Sequence, residues 1–295
     1  MDIGGTHAVA GVVHLGEGSI VEGSRERVGV DAGGDAAGIL AAWCGALRRA
    51  LDSSRADSIA GVGIAMPGPF DYDGGVCLIR GLAKYESLYG VDVRAAIKER
   101  VAQLRGVPVI FRNDAICFML GEAGFGAARG FGRVIVITLG TGFGSGFLRD
   151  GAIVEGGDDL PPGGWLYDQP FRGTTAEEYF ASRGLLARCR ATGGPPVPGM
   201  RELAEAAEHD PRAARFFEDL GASLAEFLGP WATVFRADCL VVGGNVARAW
   251  DRFAPAMCRG LSAVLPRLEV RRSELFEDAA LLGAARLPLL FREPQ

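Results

Sequence analysis

The sequence predicts an α/β protein built from two similar halves, and three observations predict it. Short apolar runs such as Val134-Ile135-Val136-Ile137 and Cys239-Leu240-Val241-Val242 stop abruptly at glycines, as buried strands do where they meet sharp turns. Stretches with helical apolar spacing fill the intervals between them. A strand, a turn of glycine and threonine, and a returning strand occur once in each half, over 1–13 and again over 133–151.

A chain of 295 residues has room for one large or two ordinary domains and a sizeable core. Its 48% hydrophobic and 23% charged residues place it with soluble globular proteins. A formal charge of −5 argues against a general nucleic-acid binder, which needs a basic face. No apolar run approaches the roughly 20 residues of a membrane span. The N-terminus lacks a basic segment followed by a signal-peptide core, so a cytoplasmic protein is expected. Cys44, Cys77, Cys117, Cys189, Cys239 and Cys258 are scattered, with no Cys-x-x-Cys pair. They read as free thiols in a reducing compartment. With only His7, His14 and His209 available, none of them near two cysteines, no zinc site is expected.

Asp2-Ile3-Gly4-Gly5-Thr6-His7 leads into Ala8-Val9-Ala10-Gly11-Val12-Val13 and reads as strand, turn, strand. Asp2 next to that turn suits a hydrated magnesium ion beside a phosphate; it equally suits an acidic strand end. The spacing of Ile39, Leu40, Trp43 and Leu47 predicts a helix over 36–51. Residues 58–65 read as a strand ended by Met66-Pro67-Gly68-Pro69, and Asp71-Tyr72-Asp73-Gly74-Gly75 as a further turn. A helix is predicted over 91–104 and a strand over 107–111. After that strand, Asn113 or Asp114 can cap the helix predicted from Ile116 to about Ala128. Alternatively, Asp114 is a functional carboxylate at the carboxyl end of a strand, where open α/β sheets bind ligands.

The strand at 133–138 runs into Leu139-Gly140-Thr141-Gly142-Phe143-Gly144-Ser145-Gly146. Without Cβ atoms, such a loop can bring several backbone N–H groups to an anion, and Thr141 adds a hydroxyl. The same residues suit a glycine-rich hairpin with a second strand at 147–151. Residues 151–175 read as a long loop, and Thr174 or Thr175 as the cap of a helix with an acidic first turn. Helices are predicted over 200–208, 211–235, 247–264 and 277–287, and strands over 239–242 and 269–272. Gly243-Gly244 follows the former strand as a third glycine junction. Neither a Gly-x-Gly-x-x-Gly dinucleotide fingerprint nor a Gly-x-x-x-x-Gly-Lys-Ser/Thr loop is present.

Five segments, taken in order and at these separations, resemble the ROK family of sugar kinases. They are Asp2-Ile3-Gly4-Gly5-Thr6, Met66-Pro67-Gly68, Asn113-Asp114-Ala115, Leu139-Gly140-Thr141-Gly142-Phe143-Gly144 and Val242-Gly243-Gly244. The resemblance implies the actin-like (ribonuclease H-like) ATPase fold, with two α/β domains and a cleft between them. The small domain would hold 1–115 plus 277–295, and the large domain 116–276. It implies that ATP and magnesium serve to phosphorylate a hexose or hexose derivative. Asp2 would organise the metal, through water, and Gly4, Gly5 and Thr6 would meet the phosphates. Gly140, Thr141 and Gly142 would form the second phosphate loop, with Gly243 and Gly244 by the adenosine. Asp114 would be the general base, with Asn113 and Gly68 on the sugar.

The chain departs from the family pattern where many members carry Glu-x-Gly-His. Pro162-Gly163-Gly164-Trp165 stands there, so Trp165 replaces a sugar-binding histidine that also serves zinc. The cysteine-rich zinc segment is missing, although Glu178-Tyr179-Phe180-Ala181-Ser182 keeps the Glu-x-x-x-Ser that follows it. Glu178 is therefore expected on the sugar. Asp158, Asp159, Tyr167 and Asp168 are further polar groups available to the pocket. Small-molecule sugar and nucleotide are the implied partners, with a homodimer as the family's common assembly. The alternatives are a ROK-like sugar sensor without turnover, and a sugar kinase that uses polyphosphate as donor.

Overall fold

The computed structural model describes residues 1–293. The chain divides into two units, one of Met1–Phe125 with the segment from Glu277 onward, the other of Gly126–Phe276. The expected division at 115/116 falls inside the helix Asp114–Phe125, which stays whole with the first unit. Residues 294 and 295 of the expected small domain lie outside the described residues.

The first unit centres on five strands: β1 (Asp2–Ile3), β2 (His7–Ala10), β3 (Glu26–Gly29), β4 (Val62–Ala65) and β5 (Val109–Arg112). Their order is β3-β2-β1-β4-β5. β1 to β3 run antiparallel as a meander, whereas β4 and β5 lie parallel to β1. All four residues of β4 are buried, as expected of a parallel strand covered on both faces. Helix α1 (Ala36–Ser54) starts where the Asp35 carboxylate accepts from the Gly38 N–H at 2.7 Å. It buries Ile39, Leu40, Trp43 and Leu47. Helix α2 (Val93–Arg100) ends before residue 104, where a 3₁₀ turn takes over. Helix α3 (Asp114–Phe125) follows β5.

The second unit repeats the plan with β6 (Arg133–Leu139), β7 (Phe143–Arg149), β8 (Ala152–Ile153), β9 (Cys239–Gly243) and β10 (Glu269–Arg272). The order β8-β7-β6-β9-β10 has the same senses, an antiparallel meander flanked by two parallel strands. Between β8 and β9 come α4 (Ala176–Phe180), α5 (Ser182–Ala191), α6 (Met200–Ala206) and α7 (Pro211–Phe235). The apolar face of α7, from Phe216 and Phe217 through Leu220 and Leu224 to Phe227 and Leu228, is buried throughout. Helix α8 (Trp250–Val264) is preceded by a 3₁₀ stretch over Asn245–Ala249.

Of the two readings open for residues 139–146, the structure has the hairpin, with its second strand beginning at Phe143 rather than Phe147: ladder pairing runs on to Leu139↔Phe143, and Gly144 and Gly146 lie within β7. Seven paired positions with β6 hold these glycines in a strand, and only Gly140, Thr141 and Gly142 remain as the turn.

The chain then returns to the first unit with α9 (Ala279–Leu290), which packs on α3 at backbone distance. A Cβ on Gly121 would lie 2.0 Å from the Ala279 carbonyl oxygen, and one on Gly283 would lie 1.7 Å from that of Cys117. Among the described residues no helix is long and apolar enough to cross a membrane.

Candidate active site

In the first unit, pairing sets Asp2 level with Ala65, and Ala65 level with Arg112. The turn at Gly4–Thr6, Gly68, and Asn113-Asp114 therefore all leave the carboxyl ends of adjacent parallel strands, where open sheets place ligands. Asn113 and Asp114 divide the two roles open to them. The Asn113 carbonyl accepts the first helical bond, from the Cys117 N–H, at 2.9 Å. Its side-chain oxygen accepts from the Ala115 N–H at 2.9 Å, so Asn113 is the cap. Asp114 shares that donor at 3.0 Å, which leaves the rest of its carboxylate available, and the residue is exposed.

The two carboxylates influence each other. Burial, then the charge of Asp114, pushes Asp2 up from 3.8 to about 6, while the N-terminal ammonium pulls the other way. Protein packed around Asp114 raises its carboxyl too, against the Ala115 N–H and the Lys84 charge. Tyr72 frames this group: its hydroxyl donates to the Met66 carbonyl at 3.0 Å, and the Asn113 amide reaches it at 3.4 Å. A Cβ on Gly68 would sit 3.3 Å from that hydroxyl. The Tyr85 hydroxyl donates to the Gly4 carbonyl and secures the first glycine turn from below.

The two glycine turns close with bonds of different span but leave the same donors open. In the first, the Gly4 N–H is closed internally on His7 O at 2.9 Å; in the second, the Gly140 N–H is closed on Gly142 O at 3.0 Å. The next two N–H groups, of Gly5 and Thr6 and of Thr141 and Gly142, have no protein acceptor among the described residues. Thr6 and Thr141 are exposed and bring hydroxyls to the same places. Each turn thus offers paired donors of the kind that suit phosphate oxygens.

In the second unit, the turn is fixed from behind. The Phe143 N–H donates to the Glu177 carboxylate at 2.6 Å, and the Ser182 hydroxyl and N–H both donate to Gly140 O, at 2.7 and 2.8 Å. The Phe143 ring packs 5.5 Å from Phe180 and 5.8 Å from Phe227. Gly244, at φ 80°, lies against β6, where a Cβ would come within 2.3 Å of the Leu139 carbonyl oxygen. The turns at 140–142 and 243–244 therefore adjoin.

The expected sugar residues fare unevenly. Trp165 is half-buried, 6.3 Å from the Tyr167 ring, and its indole N–H has no protein acceptor among the described residues. Glu178 is exposed and accepts from the Thr174 hydroxyl. Asp159 is committed to the scaffold, since Arg133 at 2.9 Å and Arg149 at 2.5 Å both pair with it. Burial works against its ionisation, but the Arg149 hydrogen bond and charge outweigh it and hold the carboxyl below its usual range.

Sequence reasoning passed over Glu177, Ser182, Tyr72 and Tyr85. A signal existed for Glu177. It lies three residues before Phe180, which is fully buried, and helical spacing puts the two on one face. Tyr72 and Tyr85 carry no such signal: Tyr72 meets a carbonyl six residues back across the turn at 67–69, and Tyr85 one that is 81 residues away. No group of three or more His, Cys, Asp or Glu able to hold a metal occurs among the described residues.

A sequence model described as the ROK family matches residues 1–289. The chain is 28% identical over 264 residues to a glucokinase of Thermotoga maritima, covering 80% of this chain and 81% of that one. Among solved structures, a ROK hexokinase from Thermus thermophilus superposes with a TM-score of 0.77 at 25% identity, covering 96% of this chain and 95% of the other. A ROK family glucokinase from Streptomyces griseus in complex with glucose and AMPPNP gives a TM-score of 0.74 at 27% identity, covering 98% of each chain. These neighbours have the actin-like two-domain fold, and so has this chain.

Proposed function

The chain belongs to the ROK family, and we infer that it is a sugar kinase transferring phosphate from ATP to a hydroxyl of a hexose or hexose derivative. The glucokinase and hexokinase relatives support this reading, as does the relative with AMPPNP and glucose bound. One observation in this chain carries it: two glycine turns, each with its first N–H closed and the next two open. That arrangement suits a ligand with several phosphate oxygens.

On this reading Asp114 accepts the proton of the attacking hydroxyl. Its upward-shifted carboxyl is a better base near neutral pH than an ordinary aspartate. Asn113 is held by its capping bond and by Tyr72, and Gly68 leaves room above the Tyr72 hydroxyl. Both border the acceptor. Trp165 offers an indole face and a free N–H to the sugar, and Glu178 an exposed carboxylate. In the second unit the N–H groups of Thr141 and Gly142 suit phosphate oxygens, and in the first unit those of Gly5 and Thr6 do. Such preorganised donors carry most of the burden in phosphoryl transfer, which asks for positioning rather than covalent help. Gly243 and Gly244 give the adenosine a wall without side chains.

The residues present fit a magnesium ion bound largely through water and phosphate oxygens. Asp2 and Asp114 repel each other when ionised, and no cluster of three ligating side chains occurs among the described residues. When bound, the ion would neutralise phosphate charge, with Asp2 holding it through water.

A panel of hexoses and amino-hexoses, assayed with ATP and magnesium for ADP release and sugar phosphate, tests the reading. At least one sugar should be phosphorylated. Tight sugar binding without phosphate transfer to any of them would replace the kinase by a sensor.

A further inference from the structure

Within the second unit, a cleft of about 440 Å³ lies among α4, α5 and α7 and is lined by none of the residues assigned above. Arg172, Tyr179, Arg188, Thr192, Asp219 and Ser223 line it. Its two arginines differ in how they are neutralised. The guanidinium of Arg172 is paired with the Glu226 carboxylate and also donates to the Tyr179 hydroxyl at 2.8 Å and to Ser223 Oγ at 3.2 Å. Arg188 lies over the Tyr179 ring, its Cζ 3.6 Å from the centroid, and gives one bond of 3.3 Å to the Tyr179 carbonyl. Among the described residues no carboxylate forms an ion pair with it, and Asp219 contributes only long-range charge. Burial, and the like charge of Arg172, disfavour this cation. It is a half-buried guanidinium in a concave wall with no counter-ion and with donors to spare.

The wall of the cleft is also the back of the strut that holds the second glycine turn. Tyr179, under Arg188, lies two residues from Glu177, which accepts from the Phe143 N–H. Helix α5, which carries Arg188, begins at Ser182, which donates twice to Gly140 O. Arg172 lies in the turn before α4 and donates to the Tyr179 hydroxyl of α4, so a group that bridged it to Arg188 would tie α5 to that segment and so brace the turn.

We propose that this cleft is a regulatory site for a small phosphate-bearing ligand, with Arg188 as its main contact, whose occupancy stiffens the Gly140–Gly142 turn. Planar guanidinium forks match phosphate oxygens, and the neighbouring hydroxyls of Tyr179 and Ser223 can turn to donate. The coupling rests on the assignment of that turn to the nucleotide. The binding does not.

Calorimetric titration of inorganic phosphate, and in a parallel arm glycerol phosphate, into the whole protein saturated with AMPPNP tests the site. The nucleotide analogue keeps phosphate away from the glycine turns. Binding is expected to wild type and to weaken about tenfold or more in Arg188→Met, the scale of one charged hydrogen bond. That variant keeps an apolar stem on Tyr179. Asp219 is exposed, so Asp219→Asn should fold normally and bind phosphate severalfold tighter, because a repelling carboxylate is gone. Affinity for glycerol phosphate but not for inorganic phosphate identifies a monoester as the ligand, and the reverse a free anion. In wild type, but not in Arg188→Met, phosphate should tighten AMPPNP binding; competition at the nucleotide site would weaken it instead. No phosphate binding under these conditions, or binding indifferent to both substitutions, overturns the site. A nucleotide affinity unmoved or weakened by phosphate overturns the coupling. AMPPNP failing to bind by itself would instead refute the nucleotide assignment, and the phosphate titrations of the wild type and Arg188→Met would still judge the cleft.

Discussion

The carboxylate of Glu177 accepts a hydrogen bond of 2.6 Å from the N–H of Phe143, the residue that follows the two open N–H groups of the second glycine turn. The bond ties the base of the turn to α4 and orients the donors before it. Replacing Glu177 with alanine removes a charged acceptor from a part-buried donor, a loss of about 1.5–3 kcal/mol. We expect KM for ATP to rise by roughly tenfold or more with KM for the sugar little changed. Initial-rate kinetics in both substrates check this; equal effects on both would show that the bond merely supports the fold.

Asp114 does not cap its helix alone, since Asn113 accepts from the same Ala115 N–H. Asp114→Asn should therefore fold with near-parental stability and lose about 10²- to 10⁴-fold in kcat, the usual worth of a general base. Thermal denaturation and steady-state kinetics on one preparation decide it. Near-parental turnover would remove Asp114 from the mechanism.

Asp2 gives a stability prediction with a definite sign. Its folded-state carboxyl titrates near 6, against 3.8 as the ordinary value. As pH rises from about 4 to 6 the unfolded chain releases this proton first, so the folded state loses stability across that window and no more above it. Asp2→Asn removes the effect. Urea denaturation of both proteins at pH 4, 5, 6 and 7, without magnesium or nucleotide, should show the variant gaining on wild type up to pH 6 and a constant difference beyond. A difference independent of pH throughout contradicts the assignment.

Gly244 combines a φ of 80° with a backbone neighbour 2.3 Å from where a Cβ would stand. Gly244→Ala should cost at least about 1–3 kcal/mol, the scale of one strained backbone position, and should displace Leu139 at the start of the turn. Lower melting temperature together with weaker AMPPNP binding is the expected pair of results. A loss of stability with unchanged nucleotide affinity would separate this junction from the nucleotide site.

The sequence legibly carried the alternation of strands and helices, because burial writes itself locally. The run at 239–243 and the apolar face of the helix at 211–235 are cases in which side-chain pattern alone sets the element. It was less legible at Gly144 and Gly146. Their composition suits a loop as well as a hairpin strand, and it is the seven backbone pairs with β6 that make them a strand. Hydrogen bonds to a partner strand leave no mark in the residues that make them.

The same divide runs through the candidate site. The glycine turns, the Asn113-Asp114 pair and the family resemblance carried by their order can be read from the residues alone, because those residues are constrained by backbone conformation and by chemistry. Which N–H groups stay open, that Asn113 caps while Asp114 remains available, and that Glu177 rather than Glu178 reaches the second turn emerge only from the folded chain. The physical reason is that these are questions of partnership. A donor is free only when every acceptor in the fold has gone elsewhere, and that depends on residues far apart in the chain.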